Sequence, residues 1–358
     1  MEKLKVVFLC ENMFDNPYLE LLTQSLNSLG VQLKKIFGDV LFISPIIKGE
    51  KPEIIHFQTL HYYLLGKNKI HRSIKFLIFI SQLLILRTIG IKIVWTVHEW
   101  ADRFEGGKRN LSLLESILLG KSFHAVIAHC NSTKNEIVKA LRLEENSEKV
   151  FVVNHGNYIG YFENRISQIE ARNELNVPLD NVVFLLFGNI HRTKGFLEAI
   201  DTFKRLQEKN ISLLVVGHPA EKDLEELIAE KISECENIFF VPRRINDEEI
   251  QLYMNACDCV IFPYKVFTTS GASILAMSFG KACIAPDRGY FKDVLDEFGT
   301  FFHDTNNKES LLIEMQSAIE KRNNLVDMGK HNLKLAEQWS WDYVARETYN
   351  IYQKCLFY

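Results

Sequence analysis

Ten short apolar runs, each followed by a stretch of helical periodicity, constrain the fold of this chain more than any other feature. In the first half they are KVVFLC (5–10), EIIHFQ (53–58), KIVWTVHE (92–99), AVIAHC (125–130) and VFVVNHG (150–156). In the second half they are NVVFLLFG (181–188), SLLVVGH (212–218), IFFVPR (238–243), CVIFPY (259–264) and ACIAP (282–286). Short apolar runs separated by helices are the pattern of parallel strands covered on both faces. A polar, irregular stretch at 157–180 divides the two sets. The expected architecture is therefore α/β with two Rossmann-like domains, 1–160 and 161–340, which suits a chain of 358 residues.

Helix signals agree with this division. PYLELLTQSLNSLG (17–30) ends on a glycine stop, and STKNEIVKALR (132–142) opens with Thr133 and Glu136 at capping-box spacing. Asn246 and Glu249 make a second capping-type start. Near the end, Trp339-Ser340-Trp341-Asp342 precedes an amphipathic helix, YVARETYNIYQKC, which the pattern alone does not place.

A formal charge of −3 gives no overall pull toward nucleic acid, so any anion site must be built locally. The seven cysteines are odd in number and lack Cys-x-x-Cys spacing, and most sit in apolar segments. They read as reduced core residues of a cytoplasmic protein. The apolar part of MEKLKVVFLCEN is too short for a signal peptide and reads as a first strand.

The very apolar segment Ile74–Ile89 carries Lys75, Gln82 and Arg87 and falls short of a membrane span. Just before it stand Lys67, Lys69, His71 and Arg72. It reads either as a core helix with a solvated basic start or as a helix lying on an anionic membrane surface.

In open α/β sheets, ligands sit where strands end and helices begin. In the first half those positions carry Asp15 and Asn16, then His98, Glu99 and Asp102, and finally His155, Asn157 and Tyr158 at the domain division. In the second half they carry Gly188, Asn189, Arg192 and Lys194, then Gly217 and His218, then Arg243 and Arg244. The segment PYKVFTTSGASILAMSFGKACIAP (263–286) adds Thr268, Thr269, Ser270, Gly271, Ala272 and Ser273. A helix starting near Ser270 would offer its free N–H groups at 270–273 and the positive end of its dipole. Arg192 and Lys194 facing that start would complete a metal-free diphosphate cradle. No Asp-x-Asp, no Gly-x-Gly-x-x-Gly after a strand, no Gly-x-x-x-x-Gly-Lys-Ser/Thr and no metal-ligand spacing occurs in the sequence.

FGNIHRTKGFLEAI resembles the Gly-Arg…Lys-Gly segment of the large "group 1" glycosyltransferases. LLVVGH, NDEEIQLYMNACDCVIFPY, AMSFGKACIAP and WSWDYVARETYNIY follow in the same order. The resemblance covers essentially the whole chain and is strongest from 181 to 290. It implies the GT-B fold, two Rossmann-like domains facing across a cleft, with the helix from about 341 crossing back to the N-terminal domain. In that family two glutamates stand where this chain has Phe267 and Leu275, and an arginine stands where it has Asn189; Lys194 keeps the lysine position. FTTSGASILAMSFG resembles a bacterial subgroup with a Thr-Ser-Gly loop in place of the glutamates, as do Asn16–Tyr18, Trp95–His98 and His155–Tyr158.

The resemblance implies transfer of a hexosyl unit from a UDP-sugar or GDP-mannose to a saccharide or polyprenyl-linked saccharide, in bacterial polysaccharide or surface-glycan synthesis, with no cofactor and no metal. It further implies that His98 meets the donor sugar near its reacting carbon and that Lys194 holds the diphosphate. An inverting reaction needs a base, for which Glu99, Asp102 and Asp15 are the candidates; a retaining one needs none in many accounts. Backbone groups near Pro242–Arg244 and Gly217-His218 would read the base. A non-catalytic sugar-nucleotide-binding partner subunit and a sugar-nucleotide epimerase on the same fold are the competing readings.

Overall fold

The computed structural model describes residues 3–10, 17–100 and 111–357; Asp15, Asn16 and Asp102 lie outside them. The described residues of 3–156 and 340–357 form one compact unit and those of 157–339 another. Each unit is built on one six-stranded sheet whose pairings are all parallel.

In the first unit the strands are β1 (Leu4–Cys10), β2 (Val31–Phe37), β3 (Ile54–Phe57), β4 (Lys92–Val97), β5 (Ala125–Ala128) and β6 (Val150–Val152), in the order β2-β1-β3-β4-β5-β6. The alternation of side chains along β1 splits its residues between two cores. Val7 and Leu9 face one core, with Phe57, Ile93 and Trp95, against the helix Lys69–Thr88. Val6 and Phe8 face the other, with Val94 and Ile127, against the helices Pro17–Ser28 and Trp341–Phe357. The last helix buries Val344, Ala345, Thr348, Ile351, Tyr352 and Cys355, so the chain's end belongs to the first unit.

Lys69–Thr88 contains the apolar segment singled out in the sequence. Its cap is Asn68, whose side chain accepts from the His71 N–H. Phe76, Phe79, Ile80, Leu83 and Leu86 are buried, each contributing on the order of 1.5–3 kcal/mol. Ile70, Ile74, Leu77, Leu84 and Ile85 remain exposed on the opposite face. No helix among the described residues is long and apolar enough to cross a membrane.

In the second unit the strands are β7 (Val182–Phe187), β8 (Ile211–Val216), β9 (Ile238–Val241), β10 (Cys259–Ile261), β11 (Ala282–Pro286) and β12 (Thr300–His303), in the order β12-β11-β10-β7-β8-β9. Arg172, only 4% exposed, fastens the segment entering this unit. Its guanidinium donates to Asp258 at 2.7 Å and to the carbonyls of Ala256, Leu179 and Asn181. Asp258 in turn accepts from the Val183 N–H at 2.7 Å.

Local details depart from expectation in three places. The helix Asn131–Ala140 is capped by Cys130, whose Sγ accepts from the Thr133 N–H, so Thr133 lies inside the helix. The Asn246–Glu249 box forms as read, though around a single 3-10 turn. Two strands, β2 and β12, escaped the sequence pattern. All seven cysteines are free, and all but Cys235 are buried.

Candidate functional site

In each sheet the chain runs outward one way, then returns to the other side of its first strand, and the crevice at that reversal is where ligands of such sheets bind. For the second unit the reversal falls between β7 and β10. The loop after β7 carries Gly188, Asn189, Arg192 and Lys194, and the loop after β10 carries Thr268, Thr269 and Ser270. Both candidate anion loops thus flank one switch point.

Two glycines allow the close backbone contacts this requires. Gly217 has φ +145°, and a Cβ there would lie 1.9 Å from the Gly188 carbonyl oxygen. Gly195 has φ +69°, and a Cβ would lie 2.1 Å from the carbonyl of Pro263, bringing the β7 loop against the β10 loop. The Lys194 ammonium lies over the Tyr264 ring, 5.2 Å from its centroid. It makes no ion pair with any described carboxylate.

The helix Gly271–Ser278 starts where the sequence indicated, with Ser270 as its cap. Ser270 Oγ accepts from the Ser273 N–H at 3.2 Å, and Ser273 Oγ donates back to the Ser270 carbonyl at 2.7 Å. This corrects the expectation that all four N–H groups of 270–273 are offered outward: that of Ser273 is consumed by the cap. Gly271 and Ala272 remain in the first turn, and both are partly exposed. Thr268 and Ser270 are buried.

Arg192 differs from Lys194. Its guanidinium is already held by Glu221, with Nε to Oε2 at 2.9 Å, and by Asp223. Arg243 is similarly spent in a two-pronged pair with Glu249, which pulls the Glu249 carboxyl below its usual range. Asn189, His218 and Arg244 are exposed.

The positions of the two absent glutamates are filled by packing residues. Phe267 stands edge-on to Phe291, centroids 4.9 Å apart, with the Arg288 guanidinium over its ring at 4.7 Å. Leu275 is buried. Both positions therefore contribute packing.

In the first unit, successive strands each end in a polar residue: Gln58 after β3, His98 after β4 and His129 after β5, with His155 three residues beyond β6. Tyr18 stands against all three histidines, with ring centroids 4.5, 5.6 and 5.0 Å from those of His98, His129 and His155. His129 Nδ1 lies 2.8 Å from the Val153 carbonyl oxygen, and its Nε2 lies 3.4 Å from His98 Nδ1. His98 Nε2 lies 3.1 Å from Gln58 Oε1. Burial pushes His98 well below the ordinary histidine range, aided by its histidine neighbours. It takes His129 down to about 4 and His155 to about 3. The group is an uncharged polar platform at neutral pH, suited to hydroxyls.

Glu99, beside His98 in the chain, approaches the His61 ring at 3.7 Å. Gln58 and His129 were not singled out in the sequence; both sit at the ends of apolar runs, and that position was the available signal. Asn157 and Tyr158, expected to line a cleft, are both buried. Asn157 Nδ2 donates to the Ala336 carbonyl at 2.8 Å, and the Tyr158 N–H donates to Ser278 Oγ at 2.9 Å. Burial raises the Tyr158 phenol. Among the described residues no cluster of three His, Cys, Asp or Glu is placed to hold a metal ion.

Residues 167–335 match the family model described as glycosyl transferases group 1. The chain is 24% identical over 247 residues, 69% of its length, to the GDP-mannose:glycolipid 4-beta-D-mannosyltransferase of Xanthomonas campestris, and spans 65% of that protein. It is also 24% identical over 193 residues to the lipopolysaccharide 1,2-N-acetylglucosaminetransferase of Salmonella typhimurium, covering 51% of each chain. Among solved structures it resembles the Anabaena protein HepE in complex with UDP and glucose, with a TM-score of 0.72 at 15% identity over 97% of this chain and 98% of that one. It likewise resembles the sucrose-phosphate synthase of Thermosynechococcus elongatus, with a TM-score of 0.77 at 13% identity over 98% and 99%. The two parallel six-stranded sheets are those of the GT-B fold.

Proposed function

We propose that this chain, whose residues 167–335 match the group 1 glycosyl transferase model, moves a hexosyl unit from a nucleoside-diphosphate sugar to a saccharide acceptor. The observation that carries this reading is the pair of loops at the β7/β10 switch point. One brings Lys194, with no described carboxylate partner, and the other brings the Ser270-capped start of a helix.

In the transfer, the bond from the anomeric carbon to the diphosphate oxygen breaks and its electron pair leaves on the diphosphate. A new bond forms to the acceptor oxygen, whose proton passes to a base or to the departing diphosphate. Lys194 and the N–H groups of Gly271 and Ala272 stabilise the charge that develops on the leaving group. No metal or cofactor is assigned a part. His98 meets the donor sugar, within the neutral platform of the first unit. Arg192 and Arg243, held by carboxylates, contribute less than the sequence alone suggests.

The acceptor of this reading is a lipid-linked saccharide, and the working place is the inner face of a membrane. Lys69–Thr88 supports it: the helix has no acidic residue, bears Lys69, Arg72, Lys75 and Arg87, and leaves Ile70, Ile74 and Leu77 exposed. Both characterised relatives described above are named for glycolipid or lipopolysaccharide acceptors. The role that follows is bacterial polysaccharide or surface-glycan assembly.

The test is release of nucleoside diphosphate from GDP-mannose, UDP-glucose and UDP-N-acetylglucosamine, each offered with a polyprenyl-diphosphate-linked saccharide in anionic vesicles. Acceptor-dependent release from one donor is the expected result. Donor binding without turnover would instead favour the non-catalytic partner subunit.

A further inference from the structure

The polar chain that holds His98 contains more hydrogen-bond contacts than two neutral imidazoles can fill with protons. Three contacts run in line: Val153 carbonyl to His129 Nδ1 at 2.8 Å, His129 Nε2 to His98 Nδ1 at 3.4 Å, and His98 Nε2 to Gln58 Oε1 at 3.1 Å. Each needs one proton between its heavy atoms. A neutral imidazole supplies one donor and one acceptor, so the two rings supply two protons.

The carbonyl of Val153 only accepts, which fixes the His129 proton on Nδ1 and leaves its Nε2 as an acceptor. His98 must then donate from Nδ1. Its own Nε2 is left as a lone pair, facing the side-chain amide of Gln58. The Gln58 amide resolves the conflict by turning over, so that its nitrogen donates to His98. Gln58 is 4% exposed, and its nitrogen as placed is buried with no partner, which the turn also repairs. The oxygen then takes the unpartnered place, a lesser cost than an orphaned N–H.

We propose that His129 is a positioning residue for His98: through the Val153 carbonyl it sets the His98 proton on Nδ1, so that Nε2 is presented as a hydrogen-bond acceptor. The group His98 takes from a ligand is then a donor, a sugar hydroxyl, and the Gln58 amide occupies the lone pair until that hydroxyl replaces it. A phosphoryl or carboxylate oxygen, having no proton, cannot fill the same place. Among the described residues the other titratable groups about His98 include His155 beyond β6, His56 in β3 and Tyr18, whose ring stands edge-on at 4.5 Å and fixes the imidazole plane. Glu99, the next residue, faces His61. The ligand statement rests on the proposed role of His98; the proton assignment does not.

Nitrogen-15 spectra of histidine-labelled full-length protein test the assignment, with the His98 signals identified by their loss in His98→Ala. At pH 7 the wild type is expected to show a protonated Nδ1 and an unprotonated Nε2 on His98. In His129→Phe, which keeps a ring but removes the acceptor, the His98 proton is expected on Nε2, donating to Gln58. In Gln58→Glu, whose carboxylate only accepts, His98 is expected to hold both protons at pH 7. A wild-type His98 protonated on Nε2 overturns the proposal without any variant. So does a His98 tautomer unmoved in a folded His129→Phe protein, because a merely structural His129 would leave it unchanged.

Discussion

The Lys194 ammonium lies 5.2 Å from the centroid of the Tyr264 ring, and the two residues come from the loops after β7 and β10, on opposite sides of one switch point. The contact joins a cation to the loop whose helix start is capped by Ser270. It also separates Lys194 from Arg192, two residues earlier, whose charge is already met by Glu221 and Asp223.

Lys194→Ala and Arg192→Ala should therefore differ. A charge-assisted hydrogen bond to phosphate is worth about 1.5–3 kcal/mol, or about ten- to hundredfold in affinity. Lys194→Ala is expected to weaken nucleoside-diphosphate binding by that factor, and Arg192→Ala by less than about threefold. Equal losses in titration calorimetry would show that Arg192 leaves its carboxylates to reach the ligand.

Gly217→Ala should fail for backbone reasons. The new methyl would lie 1.9 Å from the Gly188 carbonyl oxygen, at a φ that L-residues rarely adopt. A loss of more than about 2 kcal/mol in urea denaturation is expected. An unchanged midpoint would mean the loops after β7 and β8 are not so closely apposed.

Arg172→Ala removes a buried guanidinium and leaves the carbonyls of Ala256, Leu179 and Asn181 without its N–H groups, while Asp258, partly exposed, keeps the Val183 N–H and Gln168. The expected cost is about 1–3 kcal/mol, read in the second unit by hydrogen exchange. A loss below about 1 kcal/mol would indicate that water replaces the guanidinium.

Acid should weaken the first unit early. Burial holds His56 at about 3, His129 at about 4 and His155 at about 3, all below the ordinary value near 6.5. With the folded values depressed, the unfolded chain binds more protons, so their contribution is complete above about pH 6.5 and falls as pH drops toward 4. Each histidine costs about 1.4 kcal/mol per pH unit in that window. Trp95, Trp100 and Trp341 lie in this unit, so tryptophan fluorescence should show a lower urea midpoint at pH 5 than at pH 7. Equal midpoints would contradict the buried, neutral histidines.

Much of the fold could be read from the chain because strands covered on both faces are continuous apolar runs. The two strands that could not, VQLKKIF and TFFH, are edge strands. An edge needs no apolar face on both sides and tolerates lysines such as Lys34 and Lys35. The candidate site divides in the same way. The place of Ser270 was visible because a hydroxyl before an apolar helix is a cap signal, and it caps that helix; Lys194 was visible as a cation in the loop after an apolar strand. Gln58 and His129 were hidden, since a polar residue closing an apolar run looks like any strand terminus until the sheet order sets it beside its neighbour. The Asn157 amide donates to the Ala336 carbonyl, a use of a polar side chain that sequence does not distinguish from ligand contact.

The most direct test of the donor site is calorimetric titration of UDP, GDP and ADP into the wild type, Lys194→Ala and Ser270→Ala. The account predicts that one of them binds the wild type and that affinity falls at least tenfold in Lys194→Ala. Ser270→Ala should lose affinity as well, together with about 1 kcal/mol of stability from its cap. Binding of none, or binding unchanged by Lys194→Ala, would contradict a diphosphate held at the β7/β10 switch point.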